Sequence, residues 1–211
     1  MSAAPPAGSG TAESGTVPRS RRKPLTILLC LAVFALAVDL LTKHLALAEL
    51  SDREPVRLLG GAVYLSLTRN SGAAWSLGSD YTFIFPVIAV GVLGWIAWMT
   101  RSLRSVPWAI SLGLVVGGVT GNLLDRIFRA PGWFVGHVVD MISVFDPYGR
   151  VFPIFNVADS ALVCGVLLAV ALEFTGRQRD GSRIVTDKDK GADVGPGAAE
   201  EHADGGRRER A

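Results

Sequence analysis

Charge is scarce along most of this chain. Residues 25–176 contain only nine Lys/Arg and ten Asp/Glu, whereas residues 177–211 hold eight of each. The formal net charge is +2 with no basic stripe, which excludes an ordinary nucleic-acid-binding domain. Cysteine is nearly absent. Cys30 and Cys164 sit in separate apolar runs without C-x-x-C spacing, so a disulfide scaffold is excluded and both read as inert packing residues. Leu29 and Val163 precede them where a lipid-attachment site wants a small residue. The three histidines, His44, His137 and His202, lack metal-ligand spacing. No HExxH, GxSxG or phosphate-loop pattern occurs. Metal and serine chemistry are therefore disfavoured, and no metal or cofactor is expected.

What the chain has is apolar length. Apolar residues make up 49% of it, and the mean hydropathy is +0.36. A bilayer core about 30 Å thick takes about 20 apolar residues of helix. Four runs meet that need, at roughly 25–47, 81–99, 106–125 and 155–175. The first follows Arg19, Arg21, Arg22 and Lys23, and Ala46-Leu47-Ala48 imitates a secretory cleavage site. Its apolar pattern runs on past Asp39, however, and three more spans follow, so it reads as a span. The body is expected over 24–176, with polar, disordered cytoplasmic tails at 1–23 and 177–211. Basic residues are densest before the first span, in the short loop with Arg101 and Arg104, and at Arg177 and Arg179, which puts both termini in the cytoplasm. Outside, residues 56–69 alternate partially around Val63, Leu65 and Leu67 with a turn at Gly60-Gly61, suggesting a small β element. Residues 71–80 read as a short helix with Trp75 at the interface.

The rare polar residues of the spans share one depth. Asp39 lies roughly 21 Å past Leu25 at 1.5 Å per residue. Lys43 is one turn further out, Asn122 and Asp125 are near the exit of the third span, and Asp159 is one turn into the fourth. Asp140 stands in the apolar loop stretch Val138-Val139-Asp140-Met141-Ile142. A charge at mid-span costs on the order of 2.5–3.5 kcal/mol, so a common layer of charges needs a reason. Plain structural roles exist for several: Asp39 and Lys43 as an i,i+4 ion pair, Arg126 snorkelling or pairing with Asp125, Asn156 capping a helix with Asp159 at its third position. Gly113, Gly117 and Gly121, four apart, read as a helix-packing face. Asp140 has no basic neighbour in sequence. If Asp140 and Asp159 meet in a partly dry site, both cannot ionise, and one can act as acid while the other acts as base. The dipole at the fourth helix's start favours an ionised Asp159 as the base. A proton-coupled transporter with a carboxylate relay and a non-enzymatic membrane assembly factor use the same residues.

Taken together, Asp39-Leu-Leu-Thr-Lys43, Asn70-Ser-Gly-Ala-Ala-Trp75, Gly117-Gly-Val-Thr-Gly-Asn122-Leu-Leu-Asp125-Arg126, His137-Val-Val-Asp140 and Phe155-Asn-Val-Ala-Asp159 resemble the lipoprotein signal peptidase (signal peptidase II) family over roughly residues 25–175. The resemblance implies four transmembrane helices with a small extracytoplasmic β-cradle, in the bacterial cell membrane, with the active site near the outer leaflet. It implies an aspartyl endopeptidase that cleaves prolipoproteins before a diacylglyceryl-modified cysteine, acting as a monomer among membrane lipids. Asp140 and Asp159 match the catalytic pair. Asn70, Asn122 and Arg126 match positions lining the substrate site, and Asp39, Lys43 and Asp125, with Asn156, match supporting positions. Leu40 and Trp75 depart from the family, which often has Gln and Phe there.

Overall fold

The computed structural model describes residues 21–72 and 82–184. The short helix expected over 71–80, Trp75, and most of both tails lie outside the described residues. Four helices form: α1 (Arg22–Glu49), α2 (Ile84–Met99), α3 (Val106–Phe128) and α4 (Val157–Phe174). With the 3-10 turn that extends α2 to Ser102, each is long and apolar enough to cross a membrane. Three strands, β1 (Val56–Leu58), β2 (Val63–Asn70) and β3 (Val138–Val144), form an antiparallel sheet in the order β1-β2-β3. The chain is thus an all-α polytopic membrane protein with a small β element.

Helix α3 is the central element, packed between α1 and α4. Its glycines explain the closeness of that packing. A Cβ on Gly113 would lie 2.9 Å from the Leu28 carbonyl oxygen, and one on Gly117 2.8 Å from the Ala35 Cβ. On the α4 side, a Cβ on Gly118 would collide with the Ala158 carbonyl oxygen. Small residues let the backbones approach where lipid supplies no hydrophobic drive between helices. Ser111, fully buried, adds a 2.8 Å hydrogen bond from its hydroxyl to the Gly165 carbonyl. The other helices keep an apolar face outward, including Leu29, Val33 and Phe34 on α1, Val87 and Trp95 on α2, and Val163 and Leu167 on α4. Such contiguous exposed apolar surface is unsupportable in water and suits lipid. Cys30 and Cys164 lie on these outward faces as free thiols, not in the interior. An apolar run in a membrane helix faces lipid as readily as protein.

The sheet caps one end of the bundle. Here the sequence reading falls short, because Val138–Val144 reads as a loop and is a strand, its β-branched residues paired with β2. Pairing runs from Val63↔Val144 to Leu65↔Ile142, then resumes one residue out of step at Thr68↔Asp140 and ends at Asn70↔Val138. That irregularity puts Asn70 diagonally across from Asp140. Both faces of β3 are covered. Val139 and Met141 pack on Ala46 and Leu50 at the end of α1, while Val138 and Asp140 face a cavity between the helices. Phe155 bridges Ile142, which holds the start of α4 against β3.

At the opposite end, residues 177–184, which the sequence assigns to the tail, fold back as a hairpin on the start of α3. Arg177 pairs with Arg183 across it. The Arg179 carbonyl accepts from the backbone N–H groups of Arg104 and Ser105, and the Trp108 indole donates to the Arg177 carbonyl at 2.7 Å. Apolar Trp108 is the anchor that a charge-based reading of this segment overlooks.

Candidate active site

A cavity of about 940 Å³ runs between α2, α3 and α4, apolar for most of its length and polar at the sheet end. Asn70, Asn122, Arg126, Asp140 and Asp159 line that polar end. Strand β3 supplies Asp140, buried at 2% exposure, and the first turn of α4 supplies the half-buried Asp159.

The helix cap and the site are one construction. Asn156 caps α4 by accepting the Asp159 backbone N–H at 2.9 Å, and Asp159 Oδ2 accepts the Asn156 N–H at 3.1 Å. This capping box uses one oxygen of Asp159 and leaves Oδ1 for the cavity side, where Asn122 Nδ2 donates to it at 2.7 Å. The structural role expected for Asp159 therefore coexists with a position in the site.

Three asparagines meet these carboxylates, and each is oriented by a neighbour that can only donate. Asn70 Oδ1 accepts the Gly72 N–H at 2.9 Å, so Nδ2 faces Asp140 Oδ2 at 3.1 Å. The oxygen of Asn156 is held by the Asp159 N–H, so its Nδ2 reaches Asp140 Oδ1 at 2.7 Å. Asn122 Oδ1 accepts from Lys43 Nζ at 3.0 Å, which turns its Nδ2 to Asp159. An ammonium group has three donors and no acceptor, so it leaves the amide one choice. All four oxygens of the two carboxylates thus receive N–H donors.

No described cation is in ion-pair contact with either carboxylate. Burial, and then the charge of Asp159, push the Asp140 carboxyl up to about 7 against the opposing pull of the Asn70 and Asn156 amides. Removal from water outweighs these hydrogen bonds and the more distant charge of Lys43. Asp140 is thereby suited to hold a proton near neutrality.

Just beneath, Lys43 is fully buried between two other carboxylates, 2.8 Å from Asp39 Oδ2 and 2.9 Å from Asp125 Oδ2. The first is a buried i,i+4 ion pair within α1. Asp39 Oδ1 accepts the Ala158 N–H at 2.9 Å in the first turn of α4. Asp125 also accepts the Val139 N–H at 3.2 Å and pairs with Arg129. The expected Asp39–Lys43 pair is present, and it ties α1, α3, α4 and β3 into one block under the site.

Arg126 neither snorkels nor pairs with Asp125. Its fork donates to the Ser71 and Gly72 carbonyls, at 3.1 Å to Ser71, and the guanidinium lies 4.5 Å from the centre of the Phe85 ring. It fastens the chain after β2 to α3 and α2. The nine residues singled out in the sequence are thus gathered at one end of the bundle. Missed were Arg129, Phe85, and the backbone N–H groups of Val139 and Ala158. Arg129 had a legible signal, four residues after Asp125 on the same helix face; the others depend on tertiary approach.

Known proteins resemble this chain in sequence and in fold. The Signal peptidase (SPase) II family profile matches residues 31–175. The chain is 46% identical over 180 residues to the lipoprotein signal peptidase of Rhodococcus jostii (strain RHA1), covering 85% of this chain and 87% of that relative. It is 46% identical over 164 residues to that of Streptomyces coelicolor, covering 78% of each. A solved structure described as a bacterial membrane enzyme superposes with a TM-score of 0.62 at 25% identity, over 77% of this chain and 96% of that one. On the matched profile, the identities and the shared architecture, this chain belongs to the signal peptidase II family.

Proposed function

We propose that this protein removes signal peptides from prolipoproteins as an intramembrane aspartyl endopeptidase, cleaving before the diacylglyceryl-modified cysteine and acting as a monomer. The observation that carries the reading is the carboxylate pair: Asp140 and Asp159, joined through Asn156 and without a paired cation, line the polar end of an apolar cavity. In the reaction, ionised Asp159 takes a proton from a water molecule whose oxygen attacks the scissile carbonyl carbon. Protonated Asp140 gives its proton to the carbonyl oxygen, so the tetrahedral intermediate forms without an unbalanced charge. Its collapse breaks the C–N bond, returns the hydroxyl proton to Asp140, and passes the proton on Asp159 to the departing amine. Apolar walls such as Ile96, Val115 and Leu162 accept the substrate's hydrocarbon.

The termini are assigned to the cytoplasm and the site to the outer leaflet. In support, α1 begins and α4 ends at the same end of the bundle, beside Arg22, Lys23, Arg101, Arg104 and Arg177, while the carboxylates lie at the other. Membership of a peptidase family leaves the transporter and assembly-factor readings without support.

The test of function is cleavage of a lipidated prolipoprotein by the purified protein in micelles; failure to cleave any such substrate would refute it. Sidedness is read from an impermeant thiol reagent at Ser102→Cys in a Cys30→Ala/Cys164→Ala background. Protection in intact cells is expected, and labelling there would invert the orientation.

A further inference from the structure

At the end of the bundle remote from Asp140, a second cleft of about 590 Å³ opens between the start of α1, the start of α3 and the hairpin at 177–184. Lys23, Arg104, Arg177 and Arg183 line it. These four exposed side chains come from three separated parts of the chain, and none is ion-paired among the described residues. The hairpin places Arg177 and Arg183 directly across from one another. Its own carboxylate, the exposed Asp180, accepts from the Ser182 backbone N–H and hydroxyl, at 2.8 and 2.7 Å, and feels the charge of Arg104 without ion-pair contact. Four gathered like charges, only partly offset by Asp180 among the described residues, repel one another, so the hairpin's anchorage on Trp108 and Arg104 maintains an arrangement unfavourable on its own.

The floor of the cleft is the N-terminus of α3. Ser105 occupies the cap position and is only 8% exposed, yet its side chain makes no capping hydrogen bond. Pro107 has no N–H, so the uncapped start offers those of Val106 and Trp108, which lack helical partners, and the positive end of the helix dipole. A cap-position hydroxyl that makes no capping bond, under four cations, is the arrangement that an anion completes.

We propose that this cleft is a binding site for the phosphate group of an anionic lipid headgroup, with Lys23, Arg104, Arg177 and Arg183 supplying charge and Ser105 a hydrogen bond. A lipid source fits the location, since the cleft lies where α1 and α3 start and α4 ends, at headgroup level for helices that span the bilayer. Basic pockets between transmembrane helices take phosphate headgroups by this chemistry. The zwitterionic choline headgroup carries a cation that the four basic side chains repel. The inference is independent of the peptidase reading, because the cleft shares no residue with the carboxylate site.

Calorimetric titration of the full chain in neutral detergent, with short-chain phosphatidylglycerol, phosphatidylcholine of the same chain length, or inorganic phosphate, tests it. Saturable binding of phosphatidylglycerol is expected, at least about tenfold tighter than phosphatidylcholine. The triple variant Arg104→Gln/Arg177→Gln/Arg183→Gln should weaken it by about tenfold or more, and Ser105→Ala by a smaller factor. A control triple at the other end, Arg53→Gln/Arg57→Gln/Arg150→Gln, should leave it unchanged. Inorganic phosphate binding as tightly as the lipid and competing with it would keep the phosphate site but overturn the lipid as its ligand. Absence of saturation, or equal affinity in wild type and the Arg104/Arg177/Arg183 variant, would overturn the site itself.

Discussion

Asp39 and Asp125 share a buried lysine, whereas Asp140 and Asp159, in the same layer of the protein, have only amide and backbone N–H groups as hydrogen-bond donors among the described residues. Both are carboxylate pairs held by several elements, and Asn122 touches each, taking a hydrogen bond from Lys43 and giving one to Asp159. The difference is the cation. Where Lys43 stands between the acids, charge is compensated and the cluster fastens helices together. Where no described cation makes ion-pair contact, burial leaves one acid holding its proton, and the pair is chemically unequal. One layer of acidic residues therefore serves as scaffold on one side and as the candidate reaction centre on the other.

The contrast breaks first at the unpaired acids. Asp140→Asn and Asp159→Asn should each lower cleavage by on the order of a thousandfold or more, since each removes one partner of the proton transfer. Their thermal midpoints in detergent should fall much less than that of Lys43→Met, since each loses one hydrogen-bond acceptor and no buried charge is left uncompensated. Near-normal turnover by either variant at equal membrane abundance would remove the pair from the mechanism.

Lys43→Met attacks the other side. It leaves two buried carboxylates without their shared cation and should destabilise the fold by about 3–5 kcal/mol. The expected signature is reversed, with stability lost along with activity, and thermal unfolding monitored by circular dichroism distinguishes it from the Asp140 and Asp159 variants. A fully stable Lys43→Met protein would show that the buried ions are not the scaffold described.

Arg126 lies between these extremes. Its planar fork spans two carbonyls, and a lysine cannot reproduce that bidentate geometry. Losing one charge-assisted hydrogen bond, about 1.5–3 kcal/mol, should slow Arg126→Lys by about tenfold to a hundredfold through a misplaced chain after β2. Full activity in Arg126→Lys would reduce the contact to simple charge.

Much of this contrast is legible in the sequence, because a charge in a membrane span is costly enough to stand out. Asp39, Lys43, Asn122, Asp125 and Asp159 announce themselves by depth, and the Asn156–Asp159 spacing announces the cap. The role of the amides does not. Nothing in the sequence says that Gly72 orients Asn70 or that Lys43 orients Asn122, since those constraints cross between elements. Strand β3 was hidden for a related reason. With both faces covered it shows no clean alternation, and an apolar run around one acid reads as a loop. The hairpin after α4 was obscured by its charge, which resembles that of the tail beyond it.

The smallest expected effect is on pH dependence. The native state holds the Asp140 proton more tightly than an unfolded chain does, so the stability this contributes is complete below the ordinary carboxylate value of 3.8 and is lost as pH rises through about 7. Unfolding midpoints should therefore decline over that window in wild type, and that part of the slope should be missing in Asp140→Asn. Cleavage should fall on the alkaline side of about 7 as the acid is lost.

The inequality of the two acids is most directly seen by infrared difference spectroscopy of the protein in micelles across that pH range. A protonated carboxyl band should persist at pH 6, disappear as pH rises through about 7, and be absent from Asp140→Asn. A band that survives in Asp140→Asn, or no protonated carboxyl at pH 6 in wild type, would contradict the account.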